Sequence, residues 1–162
     1  MPVFPVMRLF EQVGTVTLER SGLYFRFYAV IRPVSRGFCR LYYHTGGGSV
    51  RMGLFGKCGE EFSCVGSISA RQLGLAEDGM FSVTEVPWRP LSVPLDGGVT
   101  VPGALCCRKG EKKWIVLPDG PELLPEILPF FCFLAPERIE GLPCLTMWVD
   151  GQGRPVAPDI SL

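Results

Sequence analysis

The chain has little of what catalytic and membrane proteins advertise. It holds one histidine, His44, among 162 residues, so any imidazole base or metal ligand would have to be that residue. Its seven cysteines include no Cys-x-x-Cys pair, and zinc would need ligands converging from several turns around that single histidine. No metal and no cofactor are therefore expected. No stretch approaches the roughly 18 apolar residues that cross a bilayer. The longest apolar run, Ile127 to Ala135, is broken by Pro129, and residues 1–10 are too short and too polar for a secretory leader. An odd number of cysteines without such a leader reads as reduced thiols, and the expected location is the cytoplasm.

Glycine and proline are abundant, 20 and 15 residues, and dispersed along the chain. Turn formers spread between short apolar runs mark many strands joined by tight turns. Thr15–Arg20 alternates apolar and polar residues, and Ser21-Gly22 turns it into Leu23–Arg32, rich in aromatic and β-branched side chains. Strands are then expected over Phe38–His44, Ser49–Cys58 and Phe62–Ala70, as a five-stranded antiparallel meander. The middle is less regular: Gly79–Pro87 holds one strand, and Trp88–Gly103 is extended loop with a short edge strand. Ala104–Arg108 with Lys113–Leu117, and Phe130–Ile139 with Pro143–Val149, form further hairpins before a last strand at Arg154–Ala157. Pro118–Pro129 is the one helical stretch, cut to single turns by Pro121, Pro125 and Pro129.

The expected fold is all-β: an antiparallel meander and hairpins packed as a sandwich or flattened barrel, with minimal helix. A length of 162 residues suits one domain, residues 1–162. The alternative is two sub-lobes, 1–75 and 103–162, joined by a Pro-rich segment.

Formal net charge is zero, yet residues 1–75 carry nine Lys/Arg against four Asp/Glu, and residues 76–162 carry seven against twelve. An acidic half docked on a basic half accounts for this without function. The same polarity would also serve an anionic partner or head-to-tail association.

The most suggestive residues are tyrosines and arginines. With a two-residue period, Tyr24, Arg26 and Tyr28 leave one face of their strand while Phe25, Phe27 and Ala29 leave the other. Phe38, Arg40, Tyr42 and His44 share a face on the next strand, and Arg51, Phe55 and Lys57 on the one after. If register aligns them, Tyr24, Arg26, Tyr28, Arg40, Tyr42 and Arg51 form a binding face of stacking rings beside cations, chemistry suited to anionic polymers and single-stranded nucleic acid. Tyrosine and arginine also clothe ordinary outer sheet faces, and a pI of 6.6 gives no global attraction to nucleic acid, so that partner is not favoured.

Other clusters read as turns or core. Gly46-Gly47-Gly48-Ser49 has a phosphate loop's glycines but leads into a strand and lacks the Lys-Ser/Thr pair. Glu60-Glu61 and Glu77-Asp78 sit at turn tips, and Asp150-Gly151-Gln152-Gly153 is too short for a calcium loop. Trp88, Trp114 and Trp148 could stack on sugars, but apolar neighbours explain each as core. Function is thus expected to be non-enzymatic: binding or structural association with a protein partner or a second copy, through a sheet face or edge. The alternatives are anionic-polymer binding by the Tyr/Arg face and an enzyme with a Cys/His site assembled in space.

Overall fold

The computed structural model describes residues 1–33, 39–76, 79–92, 94–118, 129–130 and 132–157. It is an all-β protein. The chain divides into two compact units, Met1–Pro87 and Trp88–Leu162. Two clusters of buried residues accompany this division, one within each unit.

The first unit contains β1 (Val3–Arg8), β2 (Glu11–Ser21), β3 (Tyr24–Ile31), β4 (Arg40–Thr45), β5 (Gly48–Leu54), β6 (Gly56–Cys58), β7 (Glu61–Ser69), α1 (Ala70–Leu73) and β8 (Met80–Ser82). Most hairpins turn at glycine, while the β1–β2 turn puts Leu9 at φ +51°. Gly22, at φ +61°, opens the two-residue turn that sets Ser21 opposite Tyr24. The strand order is β5-β4-β8-β1-β2-β3-β7-β6. β8 runs parallel to β1 and antiparallel to β4. The two ends of this ladder are one stretch of chain: β5 passes through buried Phe55 directly into β6. The sheet therefore wraps into a nearly closed barrel. Phe55 marks the corner, donating its N–H to the Cys39 carbonyl at 2.9 Å.

The strands of residues 15–70 are not a simple meander. β3 pairs with β7, and β4 lies beyond β8, β1 and β2. Local turns specify hairpins, but which hairpins lie side by side is decided by closure around one core. That core holds Val6, Val16, Leu18, Phe27, Ala29, Ile31, Leu41, Tyr43 and Phe81 among others. β2 departs from strict alternation, burying both Val13 and Val16. The register with β1 slips there: Val6 faces Gly14, whereas Met7 faces Gln12, and a bulge of this kind shifts the parity of the strand.

The second unit contains β9 (Arg89–Pro90), β10 (Leu105–Lys109), β11 (Lys112–Pro118), β12 (Ala135–Ile139), β13 (Leu142–Val149) and β14 (Pro155–Val156). They order as β12-β13-β11-β10-β9, with β14 also on β13. Alternate residues Ile115 and Leu117, with Met147 and Val149, turn to a core shared with Leu95, Ala104 and Phe130. Among the described residues α1 is the one α-helix, capped by Ser69, whose hydroxyl accepts from the Gln72 N–H at 3.1 Å. The helical expectation over Pro118–Pro129 and the Glu77-Asp78 turn fall almost wholly outside the described residues, as does Phe38. No helix among the described residues is long and apolar enough to cross a membrane.

Candidate functional site

The outer face of β3 stands open. Tyr24 and Tyr28 are 55% and 52% exposed, and Arg26 is exposed between them. The ladder extends this face sideways. Tyr28 lies beside Thr17 of β2 and Val65 of β7, and Thr17 lies beside Val3 of β1. One cross-strand row thus runs Val3, Thr17, Tyr28, Val65, with Val3 60% and Val65 73% exposed. The next row sets Glu19, Arg26 and Ser67 side by side, and the one beyond it Ser21, Tyr24 and Ser69.

The other three Tyr/Arg residues do not join this face, because β4 and β5 are separated from β3 in the ladder. Arg40 and Arg51 are exposed, but Tyr42 is buried. Tyr42 stacks on the His44 ring, centroids 5.9 Å apart and planes within 8°. Phe55, expected to share a face with Arg51, lies instead in the barrel core.

His44 is fully buried and held from two sides. Its Nδ1 lies 2.6 Å from the Ser49 hydroxyl, and its Nε2 lies 2.9 Å from the Thr84 carbonyl. A carbonyl can only accept, so Nε2 carries a hydrogen; a neutral ring with its hydrogen there accepts at Nδ1 from the Ser49 O–H. Thr84 is itself anchored, its N–H donating to the Ser82 hydroxyl at 2.9 Å. The pairing follows from the hairpin: with Gly46-Gly47 as a two-residue turn, Thr45 faces Gly48 and His44 faces Ser49. The turn signal in Thr45-Gly46-Gly47-Gly48 could have found this pair. Ser49 is exposed and borders a groove of about 320 Å³, whose lining includes Tyr43, Thr45, Gln72 and Leu73.

None of the seven cysteines is joined in a disulfide. Burial pushes the Cys64, Cys106 and Cys107 thiols up, partly opposed at Cys106 by Lys113 and at Cys107 by Lys109. Raised thiols carry less of the nucleophilic thiolate. Among the described residues no three His, Cys, Asp or Glu side chains gather as a metal would require.

In the second unit the tryptophan faces are occupied by one another. Trp114 and Trp148 are directly opposite in the β11–β13 ladder and stack at 5.7 Å and 8°. Trp88 is buried and tilts against Trp114 at 5.0 Å, and the Lys109 ammonium sits 4.7 Å over the Trp114 ring. Asp150 closes its turn by accepting the Gln152 and Arg154 N–H groups at 2.8 and 2.9 Å. These bonds, Arg154's first, hold its carboxyl below the usual range.

Compared with protein-family models, with curated proteins and with solved structures, the chain matches none.

Proposed function

We propose that the protein is a non-enzymatic association module whose contact surface is the outer face of β1, β2, β3 and β7. The observation that carries this reading is the exposed row Val3, Tyr28, Val65. Single apolar residues on a surface are ordinary, but three in one row, with only Thr17 of β2 between Val3 and Tyr28, form a patch that favours contact. A second copy of the chain is the partner that the row beside it fits. Glu19 and Arg26 are direct neighbours on that face. A two-fold axis through the face would set each Arg26 against the Glu19 of the other copy while the tyrosines and valines pack.

An anionic polymer draws less support. Arg26 stands beside an acid, and Arg40 and Arg51 lie elsewhere on the barrel. Seven cysteines outside any disulfide support a reducing compartment such as the cytoplasm.

Sedimentation velocity tests the association reading. The wild-type chain should form dimers by roughly 100 µM, where an association free energy near −5.5 kcal/mol already shows, and Val65→Asp should be monomeric. A wild-type chain that stays monomeric at that concentration, indistinguishable from Val65→Asp, would overturn self-association through this face.

A further inference from the structure

On the barrel face Arg26 stands beside an acid, but on the β10–β11 hairpin of the second unit cations stand beside cations. Three of the chain's four lysines, Lys109, Lys112 and Lys113, fall within this hairpin, together with Arg108. The register sets Arg108 opposite Lys113 and Lys109 opposite Lys112. Like charges directly opposite one another destabilise a strand pair, so two successive all-cation rungs cost the hairpin stability that a bound anion would restore. Arg108, Lys109 and Lys113 form no ion pair among the described residues. Arg108 and Lys109 are exposed, and Lys112 and Lys113 are half-buried. The hairpin's one acid, Glu111, lies in its turn, and the nearby Asp150 carboxylate is engaged by the Gln152 and Arg154 N–H groups.

Alternate rungs of a ladder share a face, so Lys109 and Lys112 stand on the same side of the sheet as Trp114, and Trp148 lies opposite Trp114 on β13. Both indoles are only half-buried. The Lys109 ammonium lies 4.7 Å from the centre of the Trp114 ring and 5.9 Å from that of Trp148. We propose that this end of the hairpin binds single-stranded nucleic acid. A base takes the indole surface that the Lys109 ammonium covers, and the displaced ammonium pairs with the adjoining phosphate beside Lys112. Arg108 and Lys113, on the opposite face, extend the positive field around the hairpin end. An acidic peptide would satisfy the cations but make no use of the indoles, and a duplex keeps its bases stacked inside, so the rings select a single strand. Residues 76–162 as a whole carry seven Lys/Arg against twelve Asp/Glu, which keeps the attraction local to this hairpin and the phosphate contacts few.

Tryptophan fluorescence of the full chain, titrated with a short oligothymidylate and in parallel with poly-glutamate, tests the assignment. Near physiological salt the oligonucleotide should bind with a dissociation constant of roughly 1–100 µM, the range of sequence-independent binding, and should quench the emission as a base stacks on indole. Two to four phosphate contacts at roughly 0.7 each give a slope of log K against log salt of about −1.4 to −2.8. Lys109→Gln, at an exposed position whose rung loses its repulsion, should fold as the wild type does and bring that slope about 0.7 closer to zero. Trp148→Leu should weaken binding roughly 5-fold or more, the scale of one stacked base. No binding at low salt, binding without quenching, poly-glutamate bound as tightly as the oligonucleotide, or an unchanged slope in Lys109→Gln would each overturn the assignment. None of these results bears on Tyr28 or Val65, so this proposal and the association face fail separately.

Discussion

Gly14 is the residue on which the close approach of β2 and β3 most directly depends. A Cβ at this position would collide with the Val30 carbonyl and lie 2.7 Å from both Ile31 Cα and Ile31 Cγ2. Two of these three neighbours are backbone atoms, so no rotamer change relieves the overlap, and β3 itself must move. Overpacking of this kind costs typically ~1–3 kcal/mol, and the backbone origin puts Gly14→Ala at the upper end. Loss of unfolded-chain entropy returns about 0.4–1 kcal/mol, leaving a net destabilisation of about 2 kcal/mol. For a unit of this size, each kcal/mol moves the midpoint by about 4–8 °C, so the barrel should melt about 8–16 °C lower. The assay follows alkylation of buried Cys64 with temperature, with the modified site identified by mass spectrometry. Cys64 lies on β7 in the barrel core, while all three tryptophans belong to the other unit, so intrinsic fluorescence serves as a separate monitor. If Gly14→Ala protected Cys64 to the wild-type temperature, the tight β2–β3 crossing would be wrong, and the barrel closure built on it would need redrawing.

Three further outcomes follow from the packing and the titrations. The folded Cys64, Cys106 and Cys107 thiols keep their protons at a pH where the unfolded chain has lost its own. Their contribution to stability is therefore full below an unfolded thiol pKa of about 8.5 and declines as pH rises above it; urea midpoints measured from neutral to alkaline pH under reducing conditions should fall. Asp150 works in the opposite sense, since its folded pKa is depressed. Its turn is held above the unfolded carboxyl pKa of about 3.9 and loosens as pH falls through the lower folded value, so amide protection at Gln152 and Arg154 should drop in acid and be absent in Asp150→Ala. Trp148→Leu should remove the signature of two coupled indoles from the circular dichroism spectrum, because Trp114 and Trp148 stack at 5.7 Å; an unchanged spectrum would mean that the pair is not stacked in solution.

The strand content was legible where a two-residue period and a glycine turn agreed. Tyr24–Ile31 buries Phe27, Ala29 and Ile31 and exposes Tyr24, Arg26 and Tyr28, as the alternation implies, because a strand with one face on a core has a single tolerable parity. β1 was hidden by Pro5, a residue that argues against a strand in a sheet interior. The β8 ladder pairs only Val6 and Met7, so Pro5 is tolerated beyond its end. Tyr42 and His44 were misplaced for a different reason. Alternation assigns them to the face opposite Leu41 and Tyr43, which is correct, but it does not say that this second face is also covered. A tyrosine there reads as surface from its polar tip, while the stack on His44 buries it.

Barrel closure explains why the Tyr/Arg set broke in two and why the hydroxyl–imidazole pair formed. A meander would have kept β3 beside β4 and put six tyrosines and arginines on one wall. Here β5 and β6 must together bridge the gap between β4 and β7, and the strand that does so is thinned by glycine. At Gly53 a Cβ would lie 2.6 Å from the Cys64 sulfur, so β5 crosses β7 with no room for a side chain. The same hairpin that leads into this crossing carries His44 and Ser49 opposite one another. The proposed association face and the imidazole pair thus arise from different parts of the ladder: the first from strands β1–β2–β3 paired in chain order with β7 beside them, the second from the hairpin whose outgoing strand closes the barrel. A substitution at Gly53 should therefore disturb the groove beside Ser49 before it disturbs the row Val3, Tyr28, Val65, and amide exchange on β5 against β2 would show which part of the barrel opens first.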